Sequence, residues 1–515
     1  VSRSTTELDS AVDGGTDSPR PGRLRVFALA FLGLLALLLV RNRALLSVVV
    51  NETGDSAANS IITGQAKHFH LLVGNYSRLG FSHPGPAYFY VQALGEWLCH
   101  DLFGIVPSPW NGQALAVLAL NSAFVAATVT VLTGWARSWV PVALVVGVVL
   151  GYFAVHGDVV AVVWMPLMYV TPFLLLLTAS ASVAAGRIGD LWAVGLAGGF
   201  LVHGHAEFLF FVPVIAGAAL VVAWRRERGA LIRQHRNALI LLAVIAVFAL
   251  PMVVNLVLHW PGEFAKYTGY GSSNRAGGHT PLQAIGYALR FWPGGWAAAP
   301  TAVALFGAVV LLDRGLPRTR LLRASETQTR LLAAGAAVAG LATLLFVGYA
   351  ARGIDDLHRD YVGYFSRAVP LLLMALLALG LGNLVEPGRV AYTLAGAATA
   401  AATVTAALSP TLVTPRETID DLPRVVDALS ARSAGRSVVL DVRHNAWPEL
   451  DALIVAGTRR GMRICARDPS WRFMVTAEFV CSARDLDTGV PFRLQMPPAD
   501  GIMVGRAVLT AQPEA

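Results

Sequence analysis

The sequence predicts a mostly α fold: a polytopic helical membrane domain with a small α/β domain at its C-terminal end. Three observations predict it. Of the 515 residues, 55% are hydrophobic and 14% charged, against roughly 25% charged in soluble domains, and the mean hydropathy is +0.58. The apolar residues fall in runs long enough to cross a bilayer, about 20 residues each. Past about Ser437 the pattern changes to short β-branched runs around one amphipathic segment.

Residues 1–24 are polar and contain Pro, Gly and Ser. The apolar run behind them has no A-x-A cleavage site, so they read as a disordered cytoplasmic tail and not as a signal peptide. Apolar runs follow near 25–45, 112–134, 139–156, 162–185, 190–203, 207–224, 238–258, 295–313, 331–349, 367–385 and 390–411. The run at 190–203 is short and reads as a bent or incomplete span. With the N-terminus inside, alternate loops hold Arg20/Arg23/Arg25, Arg137, Arg187, Arg225 to Arg236, Arg314 to Arg330, and Arg389. That is the cation excess of cytoplasmic loops. The complementary loops, 46–111, 156–161, 203–206, 259–294 and 350–366, then lie on the outer face of a bacterial cytoplasmic membrane, as does the segment from 412 onward. About eleven spans make a membrane domain over 25–412, leaving 413–515 as the extracytoplasmic α/β domain.

A second asymmetry runs the same way. Of the 12 histidines only His235 falls on the inner side in this scheme, and the two lysines, Lys67 and Lys266, are both outside. Function is expected where those long, titratable outer loops are. The net charge of +8 sits in short arginine clusters between apolar runs, a topology and lipid-headgroup pattern and not a nucleic-acid footprint. No Walker A loop and no Gly-rich dinucleotide fingerprint occurs.

In the C-terminal segment SVVLDV reads as a buried strand, PELDALIVAGTRRG as a helix ending at glycine, and MRICARD as a second strand. The following WRFMVTAEFVCSARDL is expected to be strand-rich. Cys465 and Cys481 lie on adjacent predicted strands, where a disulfide and two buried thiols both fit. Trp447 and Trp471 are candidates for stacking on sugar rings or for the small core.

The polar stretch from Asn51 to Tyr90 carries the main candidate chemistry, because charges beside a membrane span are costly to hold. Asp55, between Gly54 and the small residues Ser56, Ala57 and Ala58, suits a base for a hydroxyl nucleophile; it also suits a helix N-cap. Glu52 is the rival acid. His83-Pro84-Gly85-Pro86, among Phe81, Tyr88, Phe89 and Tyr90, fixes one imidazole at the interface for a phosphate or sugar hydroxyl, or else forms an aromatic-anchored turn. Arg78 precedes it in the same loop. His203 and His205, with Glu207, sit where two spans meet: contacts to a lipid phosphate or sugar, metal ligands, or a polar break. The loop 259–294 mixes aromatics with Lys266, Arg275 and Arg290, either a sugar-stacking face beside a phosphate clamp or an ordinary interfacial loop. In 350–366, Arg352, His358 and Arg359 stand among Asp355, Asp356 and Asp360. Arg359 or Arg352 can meet a phosphate or be tied up by the aspartates.

A polytopic membrane domain, a large first outer loop with an acid just after the first span, and the string His83-Pro84-Gly85-Pro86 together resemble the GT-C superfamily of integral-membrane glycosyltransferases. The plan is similar to that of mycobacterial arabinofuranosyltransferases and protein O-mannosyltransferases. The resemblance implies a polyprenyl-phosphate sugar donor, a cell-envelope glycan, glycolipid or protein acceptor, and Asp55 as general base with Glu52 nearby. His83, Arg78, His203, His205, Lys266, Arg290, His358 and Arg359 would then contact substrate. No cofactor is called for; Asp55 is followed by Ser56 and not by a second acid, which leaves a divalent cation open but not indicated. The rival readings are a transporter or flippase of a lipid-linked substrate, which would place ionisable groups at mid-membrane, and an inert envelope scaffold.

Overall fold

The computed structural model describes residues 22–226, 228–229, 233–273, 278–295, 307, 326–409 and 418–513. Eight helices among them are long and apolar enough to cross a membrane, and two shorter apolar helices, Trp139–Val155 and Ile188–Gly204, accompany them. These match every predicted run except 295–313. Nearly all of that run, the tail up to residue 21 and Arg275 lie outside the described residues.

Burial separates the spans by role. Met165–Ala184 is buried along its whole apolar window and forms the centre of the bundle, whereas His235–Leu258 buries none of its window. A helix that is apolar all round and packs so little protein needs lipid as its solvent. At one end of the bundle Arg23 pairs with buried Asp190 at 2.5 Å, and Ser182 donates to the same carboxylate. Arg187 donates to the carbonyl of Gly134, and the backbone N–H of Arg137 to Asn383. Arg23, Arg137 and Arg187, three of the arginines expected in cytoplasmic loops, thus lie at a common end.

At the other end the first long loop forms a helix, Gly54–Lys67, with two packed faces. Ala57, Ala58 and Ile61 join the core of the C-terminal unit, while Ile62 and Ala66 join the core of the bundle. Residues three and four apart share a helix face, and the two alanines let the helix Trp447–Arg459 pack close. The union is also polar: Arg459 grips fully buried Glu52 through both oxygens, one at 2.9 Å, and Thr53 donates to the carbonyl of Pro448 at 2.8 Å.

The C-terminal unit carries a five-stranded sheet in the order β2-β1-β3-β5-β4, with β1 Val438–Val442, β2 Ile464–Ala466, β3 Val490–Gln495, β4 Ile502–Val504 and β5 Ala507–Ala511. β1 runs parallel to β2 and β3, and β5 antiparallel to β3 and β4. The predicted strand, helix and strand at its start are present. The strand-rich reading of 471–486 is corrected: the segment forms short helical turns, Pro469–Trp471, Arg472–Val475, Ala477–Phe479 and Ala483–Thr488. Asp468 caps the first of these and a Ser482–Asp485 capping box opens the last. These local hydrogen bonds outweigh the β-leaning composition of the segment. Cys465 and Cys481 form a disulfide, although only Cys465 lies on a strand.

Candidate active site

Asp55 lies in the first turn of its helix, after Thr53 at the N-cap position. Gly54 takes a φ of 55°, a left-handed backbone that favours glycine. The Asp55 carboxylate accepts from Tyr76 Oη on one oxygen and from Trp164 Nε1 on the other, at 2.9 Å. Burial, then the carboxylates of Asp55 and Asp451, push the Tyr76 phenol well above its usual range, so it stays a donor. The Asp451 side chain, one turn along from Trp447, is fully buried, and neither of its oxygens has a hydrogen-bond partner.

Tyr76 and His83 belong to one small hairpin, in which Gly74 N–H donates to the carbonyl of His83 and His83 N–H to that of Asn75, both at 2.7 Å. The Pro-Gly-Pro string then locks onto the junction of two spans. Gly85 N–H donates to the carbonyl of His203 at 3.2 Å, and Ala87 N–H to His203 Nδ1 at 3.2 Å. Any side chain at Gly85 would collide with the His203 imidazole. The other ring nitrogen of His203 meets the carbonyl of Phe248 at 2.6 Å. With both nitrogens held by backbone, His203 is a structural tie and offers a ligand no polar atom.

These elements border a cavity of about 790 Å³. Its wall includes Asp55, Tyr76, Trp164, His83, His205 and Glu207, together with Arg78, Arg352 and Arg359. Arg78 pairs with Asp355, and Arg359 Nε lies 3.3 Å from Asp356. Arg352 makes no ion pair among the described residues. The His83 and His205 rings are 4.0 Å apart, centre to centre, and Ala206 N–H donates to His83 Nδ1 at 3.3 Å. Burial, then the neighbouring His205, push the His83 pKa well below the ordinary histidine value, so the ring is neutral. His205 Nδ1 is 3.2 Å from the buried carboxylate of Glu207. Among the described residues, no three His, Cys, Asp or Glu side chains converge to hold a metal ion.

Several sequence candidates lie elsewhere. Glu52 is committed to Arg459 and does not border the cavity. Lys266 pairs with Glu263 at 2.8 Å and Arg290 with Asp360 at 3.2 Å, and His358 is exposed; none of the three lines the wall. From the helix that carries Lys266, it is Tyr267 that reaches the cavity. Sequence reasoning missed Tyr76, Trp164 and Asp451; it named Trp447 and Trp471 as sugar-stacking candidates, and both line the cavity together with His444, Phe473 and Met474, which it did not name.

A second hollow, an open apolar groove of about 370 Å³, lies behind the string, lined by Leu72, Pro86, Ala87, Tyr90 and residues of the helix His235–Leu258. The same string therefore presents His83 to the cavity and Pro86 to the groove.

No protein-family model matches the chain, and no curated protein matches it. Among solved structures, the crystal structure of ArnT from Cupriavidus metallidurans in the apo state matches 96% of this chain and 100% of its own, with a TM-score of 0.54 and 11% sequence identity. ArnT is a GT-C glycosyltransferase. The chain shares the fold of that structure. At that identity the likeness is one of fold alone. Within this fold the acid of the first loop, Arg352, Arg359 and the string all face one cavity.

Proposed function

We propose that this chain is a glycosyltransferase of a bacterial cytoplasmic membrane, moving a sugar from a polyprenyl-phosphate donor to a hydroxyl of a cell-envelope acceptor at the outer face. One observation carries the reading: a carboxylate held by two neutral donors shares a cavity with three arginines, and a rigid string divides that cavity from an apolar groove. The division suits a substrate that is polar at one end and isoprenoid at the other. The fold-mate ArnT is an undecaprenyl-phosphate-Ara4N transferase, which supports a lipid-linked donor. The Cys465–Cys481 disulfide supports an oxidising compartment for the C-terminal unit.

In this reading the acceptor hydroxyl oxygen attacks the anomeric carbon and its proton passes to Asp55. The bond from that carbon to the phosphate oxygen breaks, and the electron pair leaves with the phosphate. Arg352, Arg359 and Arg78 stabilise the charge gathering on the phosphate, work done best by donors already in place. Tyr76 and Trp164 aim the carboxylate without a cation that would compete for its lone pairs. His83, neutral and fixed by the Ala206 N–H, positions the sugar or phosphate.

Asp55→Asn tests the assignment. Loss of a general base is expected to cost about 10²–10⁴-fold in transfer, with donor binding retained. Transfer from a polyprenyl-phosphate sugar at the native rate in this variant sinks the assignment. Arg352→Ala is expected to weaken donor binding while the protein remains folded.

A further inference from the structure

Resting on the reading above, we infer that the acceptor is a neutral saccharide and that the C-terminal unit holds its ring against His444 and Trp447, beside Asp55, with buried Trp471 backing the His444 ring.

The cavity has two chemically different walls. Its three arginines all come from the membrane domain, two from loops and Arg352 from the end of a span. The C-terminal unit contributes four rings and a thioether, and among the described residues no lysine or arginine. Supply does not explain that exclusion. Arg443 precedes His444 and Arg472 stands between Trp471 and Phe473, yet both arginines are exposed and neither lines the cavity. A wall for a phosphorylated or otherwise anionic acceptor would turn those guanidinium groups inward, because arginine forks match such groups. Here they face away, and the wall borders Asp55, a carboxylate that repels an anion. Rings beside carboxylates suit a sugar instead: C–H faces lie on aromatic faces, and hydroxyls donate to carboxylate oxygens.

The rings are arranged for this. The His444 imidazole lies over the Trp471 indole, centres 5.7 Å apart and planes within 24°. Phe473 meets Tyr76 edge-on at 6.2 Å. The Trp447 ring lies against Gly54, 3.6 Å from where a Cβ would stand, so the platform starts one residue from Asp55. A sugar stacked there presents its hydroxyls to the base.

The test uses the full-length protein in lipid nanodiscs, probed with neutral pentose and hexose trisaccharides, phosphorylated counterparts and a Ser/Thr peptide. Binding is read by tryptophan fluorescence and by saturation transfer to the sugar protons, with no turnover needed. A neutral trisaccharide is expected to bind, and Trp447→Ala to weaken it about tenfold, the scale of one lost ring stack. His444→Ala, at an exposed position that leaves the core intact, is expected to weaken it several-fold. Preference for the phosphorylated sugar or the peptide overturns the inference, as does unchanged binding in both variants. The two readings fail separately. Saccharide binding that depends on Trp447, without any transfer from a lipid-linked sugar, keeps this site and removes the proposed reaction. Transfer that depends on Asp55, with an acceptor KM indifferent to Trp447 and His444, keeps the reaction and removes this site.

Discussion

Asp451 is the residue whose setting has the most measurable consequence. Its carboxyl is fully buried with no hydrogen-bond partner for either oxygen, and burial, then Asp55 and Glu449, push its pKa well above the usual range. A buried unpartnered acid stays neutral because ionising it there is too costly. The folded chain therefore binds a proton that the unfolded chain releases near pH 4. Stability from this group is complete below that pH and falls as the pH rises toward the folded-state value, by about 1.4 kcal/mol per unit. Asp451→Asn is expected to flatten the fall in melting temperature between pH 4.5 and 6.5; a slope equal to that of the native protein would contradict it. Asp55 was legible in the sequence because an acid among small residues just after an apolar run is conspicuous. Its partners were not. Tyr76 and Trp164 reach it from 21 and 109 residues away, and Trp164 sat inside a run that read as continuous span.

Among the elements, the helix Gly54–Lys67 and the helix Trp447–Arg459 are joined by Glu52 and Arg459 as well as by apolar contact. The two partners differ in burial: the Glu52 side chain is 0% exposed and that of Arg459 27%. Arg459→Ala strands a buried carboxylate, a change that costs about 3–5 kcal/mol. Glu52→Gln leaves a guanidinium that still reaches water and is expected to cost clearly less. Thermal unfolding of both variants in the same nanodiscs measures the difference, and equal losses would show that the pair is not buried as described. Elements with a clean period were readable, from the spans to the β1, helix and β2 start of the C-terminal unit. The segment 471–486 was not, because aromatic and β-branched residues argued for strands while Asp468 and Ser482 quietly supplied helix starts. The cations of loop 259–294 misled for a related reason: composition does not reveal that Lys266 and Arg290 each have an acid beside them.

At the scale of the whole molecule, arginine-bearing ends cluster at one end of the bundle and the cavity opens among loops at the other. In the proposed orientation, with those arginines on the cytoplasmic side, the cavity opens outside. Reporters active only in the cytoplasm, fused at 230, 320 and 515, are expected to signal at the first two sites and stay silent at the third; signal at 515 would invert the orientation and remove the outer-face site. What the sequence could not convey is that the first loop and the last domain share a core, since each apolar face is compatible with many partners until the chain is folded. That sharing has a consequence in time. Glu52 and Arg459 are 407 residues apart, and synthesis at roughly 5–20 residues per second separates their emergence by about 20–80 s. Throughout that interval the carboxylate has no guanidinium and the Ala57, Ala58 and Ile61 face has no cover. The cavity is closed by residues made long after its acid, so a nascent or truncated chain carries that acid but has nowhere to use it.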